Sequence, residues 1–406
     1  PGGSLNYQWG ESAAAVKLRS SLDVRSISNI DLRCSTVAVG NYADHWVALV
    51  DRDRLTKMRA KSVVIATGAM EQPAVFANND LPGVMLATAA QRLIHQYAVK
   101  PFERGVVFIG NDFGFAAVFD LVRSGVKISA VVDLGYDSFE DFSAELSAEL
   151  KSLGIQYHAN HAVTMALPSS GKRGIRGVQV TPLDDNGKPK GSGNFEIPCD
   201  GLVMSVGFAP ADGLFYQGGG RMSWSEEVHQ FMPISAPPGL FAAGRLNGVY
   251  GCDEEAADGA RAGLAAVAFL ANNTSHIPSD PQRRSFLSSH PYPIFPHPTT
   301  KCFVDLDEDV HYKDFVNAAQ EGFDQVELMK RFSTFGMGTS QGKLANINAI
   351  RILAHIKGQT VPQTGVTTAR PFCHPVSLGH LAGRGFHPHR RTPIEGRHEA
   401  LGAVFM

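Results

Sequence analysis

The chain has 406 residues, 44% apolar and 19% charged, with a formal net charge of −2. That length supports two or three domains with their own cores, and the charge balance points to neither nucleic acid nor an anionic membrane as a partner. The longest apolar run, near 262–271, is too short to span a bilayer, no basic–apolar leader opens the chain, and the five scattered cysteines contain no C-x-x-C pair, so a reduced, cytoplasmic protein is expected.

Residues 1–67 read as short strands joined by turns. Trp46–Arg52 is an apolar run with a polar end, and Lys61–Gly68 (KSVVIATG) is a buried strand that ends in a glycine turn. A loop rich in Pro, Asn and Gly follows, then helical spacing over Leu86–Ala98. Residues 105–133 form the clearest βαβ unit. Gly105–Gly110 (GVVFIG) is a strand, Gly114–Arg123 a helix with Phe115, Val118, Phe119 and Val122 on one face, and Val126–Asp133 a second strand. A helix over 138–152 precedes further strands, and Asp184-Asp185-Asn186-Gly187 is a hairpin-type turn. Gly201–Val206 and Gly239–Gly244 are buried strands, with a long helix over Asp258–Ala271 behind the second. The Rossmann-like α/β part therefore covers 1–276. A proline-rich linker is expected over 277–299, a compact helical module over 300–360 with helices near 312–321, 324–333 and 341–357, and a connector over 361–406. Both ends read as cut from a longer polypeptide.

A strand–turn–helix presents helix N-terminal amides to a pyrophosphate. The turn Gly110-Asn111-Asp112-Phe113-Gly114-Phe115 has Asp112 and Phe115 where a G-x-G-x-x-G fingerprint wants glycine. A carboxylate there repels a pyrophosphate, so this unit has lost its ligand, although Asp133 stands where an acid could hold a ribose. Ala66-Thr67-Gly68-Ala69 resembles the A-T-G motif of flavoproteins with two dinucleotide domains, and Gly239–Gly244 resembles their late F-A-A-G-D motif. Arg245 replaces the motif's aspartate. An arginine cannot accept hydrogen bonds from hydroxyls, so FAD is not expected in its usual pose, while another dinucleotide could lie in the same cleft. The first G-x-G-x-x-G would lie upstream of Pro1. The order and spacing of these motifs indicate a glutathione-reductase-like fold with two dinucleotide-binding domains.

The loop KRFSTFGMGTSQGKLA (330–345) is similar to the bacterioferritin-associated-ferredoxin-like module, whose cluster cysteines would fall at Asp305, Asp307, Ser340 and Ala345. Iron–sulfur clusters need thiolates, so none is expected. The loop keeps a helix N-terminus and nearby cations, which suit a phosphate.

Together with IATGAMEQPAVFANNDLPGVMLATA (65–89), GLFAAGRLNGVYG (239–251), TTARPFCHPVSLGHLAG (367–383) and RRTPIEGRHEALGAVF (390–405), these segments resemble the α subunits of heterotetrameric sarcosine oxidases. The resemblance implies an oxidoreductase subunit that holds NAD. FAD would lie in a β subunit that oxidises the amine, and FMN at the α–β interface would pass electrons to oxygen. Smaller γ and δ subunits would complete the assembly, with tetrahydrofolate bound by a C-terminal aminomethyltransferase-like domain absent from this chain. Such an assembly demethylates sarcosine to glycine, and the fragment alone would be inactive. By motif, NAD would meet Val37, Thr67, Gly68, Gly244, Arg245, Leu246 and Val249. The FMN phosphate would meet Lys330, Arg331 and the helix start at Thr339, Gln341, Gly342 and Lys343. The related opine, N-methylglutamate, proline and cyanide-forming glycine dehydrogenases are alternatives, but they often keep the cluster cysteines. A stand-alone NAD(P)H-flavin reductase and a non-catalytic scaffold are the others.

Three further features point to no site. His374, His380, His387, His389 and His398 match no tetrahedral metal set and read as exposed tail residues. Cys252 reads as a buried, inert thiol, and Glu71 as a solvated loop carboxylate.

Overall fold

The structure, a computed structural model, describes residues 3–7, 17, 20, 24, 27–135, 143–273, 289–383 and 390–404. An antiparallel meander opens it: β1 (Val37–Tyr42), β2 (Trp46–Val50) and β3 (Leu55–Arg59). Strand β4 (Val63–Ile65) ends at the A-T-G turn, and β5 (Ala69–Glu71) leaves it. Then come β6 (Val84–Leu86), α1 (Ala87–Tyr97), β7 (Arg104–Ile109), α2 (Phe113–Arg123), β8 (Lys127–Asp133), α3 (Ser143–Ser152) and β9 (Gln156–Ala159). Residues 138–142 of the expected third helix lie outside the described residues.

Strand β7 explains its own sequence. Val106 and Phe108 enter one core cluster while Val107 and Ile109 enter the other. A strand buried on both faces reads as a continuous apolar run rather than an alternating one. It lies in a parallel sheet of order β6-β13-β7-β8-β9, where β13 is Gly201–Ser205. Helices α1 to α3 cover one face. The other packs on an antiparallel sheet of β10 (His161–Pro168), β11 (Ile175–Pro182) and β12 (Phe195–Pro198). Gly114 is required where α2 crosses β7, because a Cβ there would stand 2.3 Å from Ile109 Cγ2.

Next along the chain are β14 (Phe208–Pro210), α4 (Gly213–Gln217), β15 (Arg221–Ser225), β16 (Gln230–Ser235) and β17 (Leu240–Ala242). Strand β17 runs parallel to β4 with Ala242 opposite Ile65, which sets the A-T-G turn beside the late glycine run. Helix α5 runs Cys252–Leu270, six residues longer at its start than expected. Gly251 enters it at φ +106°, and Asp253, Glu254 and Glu255 in its first turn favour the positive end of the helix dipole. The apolar periodicity starts only later, so the sequence reading began at Asp258.

The proline-rich stretch is packed over 289–299. Ser289 Oγ donates to Phe208 O at 3.0 Å, His290 N to Val206 O at 2.8 Å, and Phe295 N to Val75 O at 2.7 Å. Its remainder, 277–288, lies outside the described residues. The helical module follows: β18 (Phe303–Asp305), β19 (Val310–His311), α6 (Tyr312–Gln320), α7 (Val326–Ser333) and α8 (Asn346–Lys357). Its core of Phe315, Met329, Phe335 and Ile352 extends to Val75 and Ala77 of the first domain. Buried Arg351 on α8 bonds the main-chain oxygens of His290 (2.9 Å) and His229 (3.4 Å) and stacks on Trp224, and burial lowers its pKa to about 10. One correction bears on the site. Helix α8 begins at Asn346, so 339–345 are turns and Thr339–Lys343 is not a helix N-terminus.

Candidate functional site

Two modules wall one cavity of about 890 Å³, a size typical of small-molecule sites. From the first module come Val37 on β1, Thr67 and Met70 around the A-T-G turn, and the segment Phe208–Leu214. The helical module contributes Lys330, Arg331 and the loop 336–346, and 366–374 closes a further side. The A-T-G turn is fixed to the segment it faces. Thr67 Oγ1 donates to Ala211 O at 2.7 Å, and Ala211 N donates to Gly68 O at 2.9 Å. Gly68 sits at φ +77°, where a side chain would be strained.

Lys330 and Arg331 stand in the last turn of α7, which ends at left-handed Thr334. Neither side chain has an ion pair or hydrogen bond among the described residues. The loop beyond them is fastened by the carboxylates that occupy the expected cysteine positions. Asp305 Oδ2 accepts from Gly336 N and Asp307 Oδ2 from Ser340 N, each at 2.7 Å, and Asp305 Oδ1 accepts from Asp307 N at 2.9 Å. Gly338 permits this closeness, since a Cβ would lie 2.4 Å from Asp307 Cβ. Lys343 Nζ donates to Cys373 O (2.6 Å) and Ser340 O (3.2 Å), and burial lowers its pKa. Gln341 Nε2 donates to Phe372 O at 2.6 Å. Of the six residues expected at a phosphate, Lys330, Arg331, Gln341, Gly342 and Lys343 line the cavity, and Thr339 does not.

The residues expected at NAD separate. Val37 and Thr67 line the cavity with Gly68 adjoining them, whereas Gly244, Arg245, Leu246 and Val249 lie elsewhere. Gly244 N donates to Asp258 Oδ2 at 2.7 Å, and buried Asp258 also binds Asn247 and Arg261. Leu246 and Val249 are core residues. The Arg245 guanidinium lies over the rings of Phe113 (5.2 Å), Tyr250 (5.7 Å) and Phe208 (5.8 Å), and Nε pairs with Glu255 at 2.8 Å. Motif position placed these four at a ligand, but the packing turns their polar groups onto the protein itself.

Phe113 belongs to the turn that resembled a second nucleotide site. There Asn111 Oδ1 accepts from Gly114 N (3.2 Å) and Ser205 Oγ (3.1 Å), so the side chain takes an amide a phosphate would need. Asp133 accepts from Gly135 N and from the Tyr157 hydroxyl, and burial raises its pKa.

Other sequence readings are corrected. Glu71 is buried rather than solvated. Its Oε2 accepts from Thr88 N at 2.8 Å in the first turn of α1, and burial raises its pKa. His380 is fastened between Asp51 O (2.9 Å) and Ser377 Oγ (2.6 Å). His387 and His389 lie outside the described residues. Among the described residues no group of three His, Cys, Asp or Glu could hold a metal, and no helix is long and apolar enough to cross a membrane.

Sequence reasoning missed Asp212 and Gln230, both of which line the cavity. Desolvation raises the Asp212 pKa to about 7. Gln230 is 1% exposed and its Nε2 has no partner. Neither stands in a motif, and nothing local marks them.

Residues 8–260 match the pyridine nucleotide-disulphide oxidoreductase family, and residues 299–384 match the sarcosine oxidase A3 domain. The chain is 31% identical to the sarcosine oxidase subunit alpha of Rhizobium meliloti (strain 1021) over 100% of its own length and 42% of the relative's. It is also 31% identical to the subunit of that name from Corynebacterium sp. (strain P-1), over 88% of this chain and 37% of the relative. The chain thus spans about two fifths of the length of these curated relatives. A crystal structure of L-proline dehydrogenase from P. horikoshii superposes on 93% of this chain and 70% of its own, with a TM-score of 0.67 and 19% identity, which shows a shared fold.

Proposed function

Because the chain belongs to the pyridine nucleotide-disulphide oxidoreductase family and is homologous along its length to sarcosine oxidase alpha subunits, we propose that it is the cofactor-holding part of a multisubunit flavin-dependent amine oxidase. Sarcosine is the amine, oxidised on a partner subunit that carries FAD. Oxygen is the electron acceptor, and the one-carbon unit passes to tetrahydrofolate. Smaller subunits of γ and δ type accompany the two larger ones.

One observation carries this reading: the A-T-G turn and the cationic loop wall the same cavity, where Lys330 and Arg331 have no ion pair among the described residues. These residues fit a phosphate-bearing cofactor. Lys330 and Arg331 would hold the phosphate, each charge-assisted hydrogen bond contributing about 1.5–3 kcal/mol. Lys343 and Gln341 would fix the loop against 372–373 and so set where those cations stand. FMN at this interface, when bound, supplies the electron carriage. Val37, Thr67 and Gly68 would face NAD in the same cleft; Gly244, Arg245, Leu246 and Val249 do not fit that role. The apolar walls, Phe208 and Ile350 among them, would exclude water from the bound ring.

The self-contained reductase is disfavoured because Asp112 and Phe115 stand where the fingerprint wants glycine and Asn111 takes the Gly114 amide. Heat release of small molecules from the purified complex tests the proposal. NAD and flavins with co-purifying subunits support it. FAD alone, with NADH oxidation by the isolated chain, supports the reductase, and no nucleotide at all supports a scaffold.

A further inference from the structure

A buried amide that lines a cavity with its NH2 group unpartnered is an unfinished bond. Gln230 is such a group. It opens β16, is 1% exposed and lines the cavity. Its Oε1 accepts from the Tyr250 hydroxyl at 2.7 Å, which fixes the carboxamide from behind. Tyr250 is itself held, 4% exposed, with its ring against Arg245 and Phe113. Nε2 is left without a partner. A buried donor in this state costs free energy until something accepts its proton. Phe208, Phe231, Ile347 and Ile350 also line the cavity and offer an apolar surface that suits the face of a conjugated ring.

We infer that Gln230 is a recognition residue whose Nε2 donates to a carbonyl oxygen or unprotonated ring nitrogen on the conjugated ring of the ligand in this cavity. The inference rests on the cofactor-holding reading above and adds to it the residue that selects the ring. Phosphate contacts at Lys330 and Arg331 accept any phosphorylated ligand of the right size. A single oriented donor rejects a ring that presents a hydrogen where an acceptor is needed, because two donors would then face each other unpaired.

The test is equilibrium binding of FMN and of NAD, each alone, to the purified cofactor-stripped complex and to complexes carrying Gln230→Leu or Tyr250→Phe, with inorganic pyrophosphate as a competitor. The expected result is that Gln230→Leu weakens at least one of the two ligands by about tenfold or more, as loss of a buried hydrogen bond requires. Pyrophosphate affinity should stay unchanged, because its contacts are the cations. Tyr250→Phe frees the carboxamide to turn and should weaken the same ligand by about threefold. If Gln230→Leu does not fold, Tyr250→Phe decides the matter alone. Wild-type binding with unchanged affinity in the variants overturns the Gln230 assignment and leaves the cofactor-holding reading standing. Failure of the wild-type complex to bind either nucleotide overturns both.

Discussion

Two glycine-bearing loops in this molecule look alike in sequence and differ in what their polar groups do. In the turn 110–115, Asn111 takes the Gly114 amide, Phe113 packs on Arg245, and Arg245 is enclosed by three rings and Glu255. At 330–346 the Gly336 and Ser340 amides are tied to Asp305 and Asp307, yet Lys330 and Arg331 line the cavity with no ion pair or hydrogen bond among the described residues. A motif shows where a ligand once fitted. The accounting of donors and acceptors shows where one still can.

This contrast can be broken most severely by exchanging the fate of its cations. Arg245→Ala should cost about 3 kcal/mol of stability, since it leaves Glu255 facing an emptied aromatic box. Thermal unfolding should show this with cofactor affinity unchanged; lost affinity without lost stability would mean the box is a binding site. Lys330→Glu with Arg331→Glu should do the reverse. Affinity for FMN should fall about a hundredfold, judged from two charge-assisted bonds, while the melting temperature stays within error. Unchanged FMN content would sink the phosphate role.

A smaller effect concerns the fastening of the loop. Asp307→Ala should cost about 1–2 kcal/mol of stability and raise hydrogen exchange at Ser340. Asp307→Asn, which keeps an acceptor oxygen, should recover most of it. Equal loss in both variants would show that charge rather than acceptor geometry matters.

The smallest expected effect is at the seam between the modules. His290 is buried beside Arg351, and desolvation, with the guanidinium adding to it, lowers its pKa from 6.5 to about 3. Between those values the unfolded chain binds a proton that the folded chain refuses, so stability rises with pH across that window. Stability should therefore fall by about 1 kcal/mol as pH drops from 7 to 5.5. His290→Asn should flatten the slope in denaturant titrations; an unchanged slope would place its origin elsewhere.

The parallel strand at 105–109, the helix behind it and the three helices of the second module were legible because they rest on local periodicity and continuous apolar runs. The start of α5 at Cys252 was not, since its first turn is polar and its periodicity begins later. Nor was the late start of α8, where glycines and a left-handed Gln341 extend the loop to Ala345. Within the site, Lys330, Arg331 and Thr67 could be read from motif position. Asp212 and Gln230 could not, because neither stands in a motif and only packing buries them at the cavity wall.

The residues alone therefore determined the fold class, which depends on side-chain type and short spacing. Only the tertiary structure decided which glycine loop remains open, that Arg245 is enclosed and Arg331 is free, and that one cavity joins two modules. Those outcomes depend on which polar groups find partners when distant segments pack, and a buried group takes the nearest good partner whatever motif it belongs to.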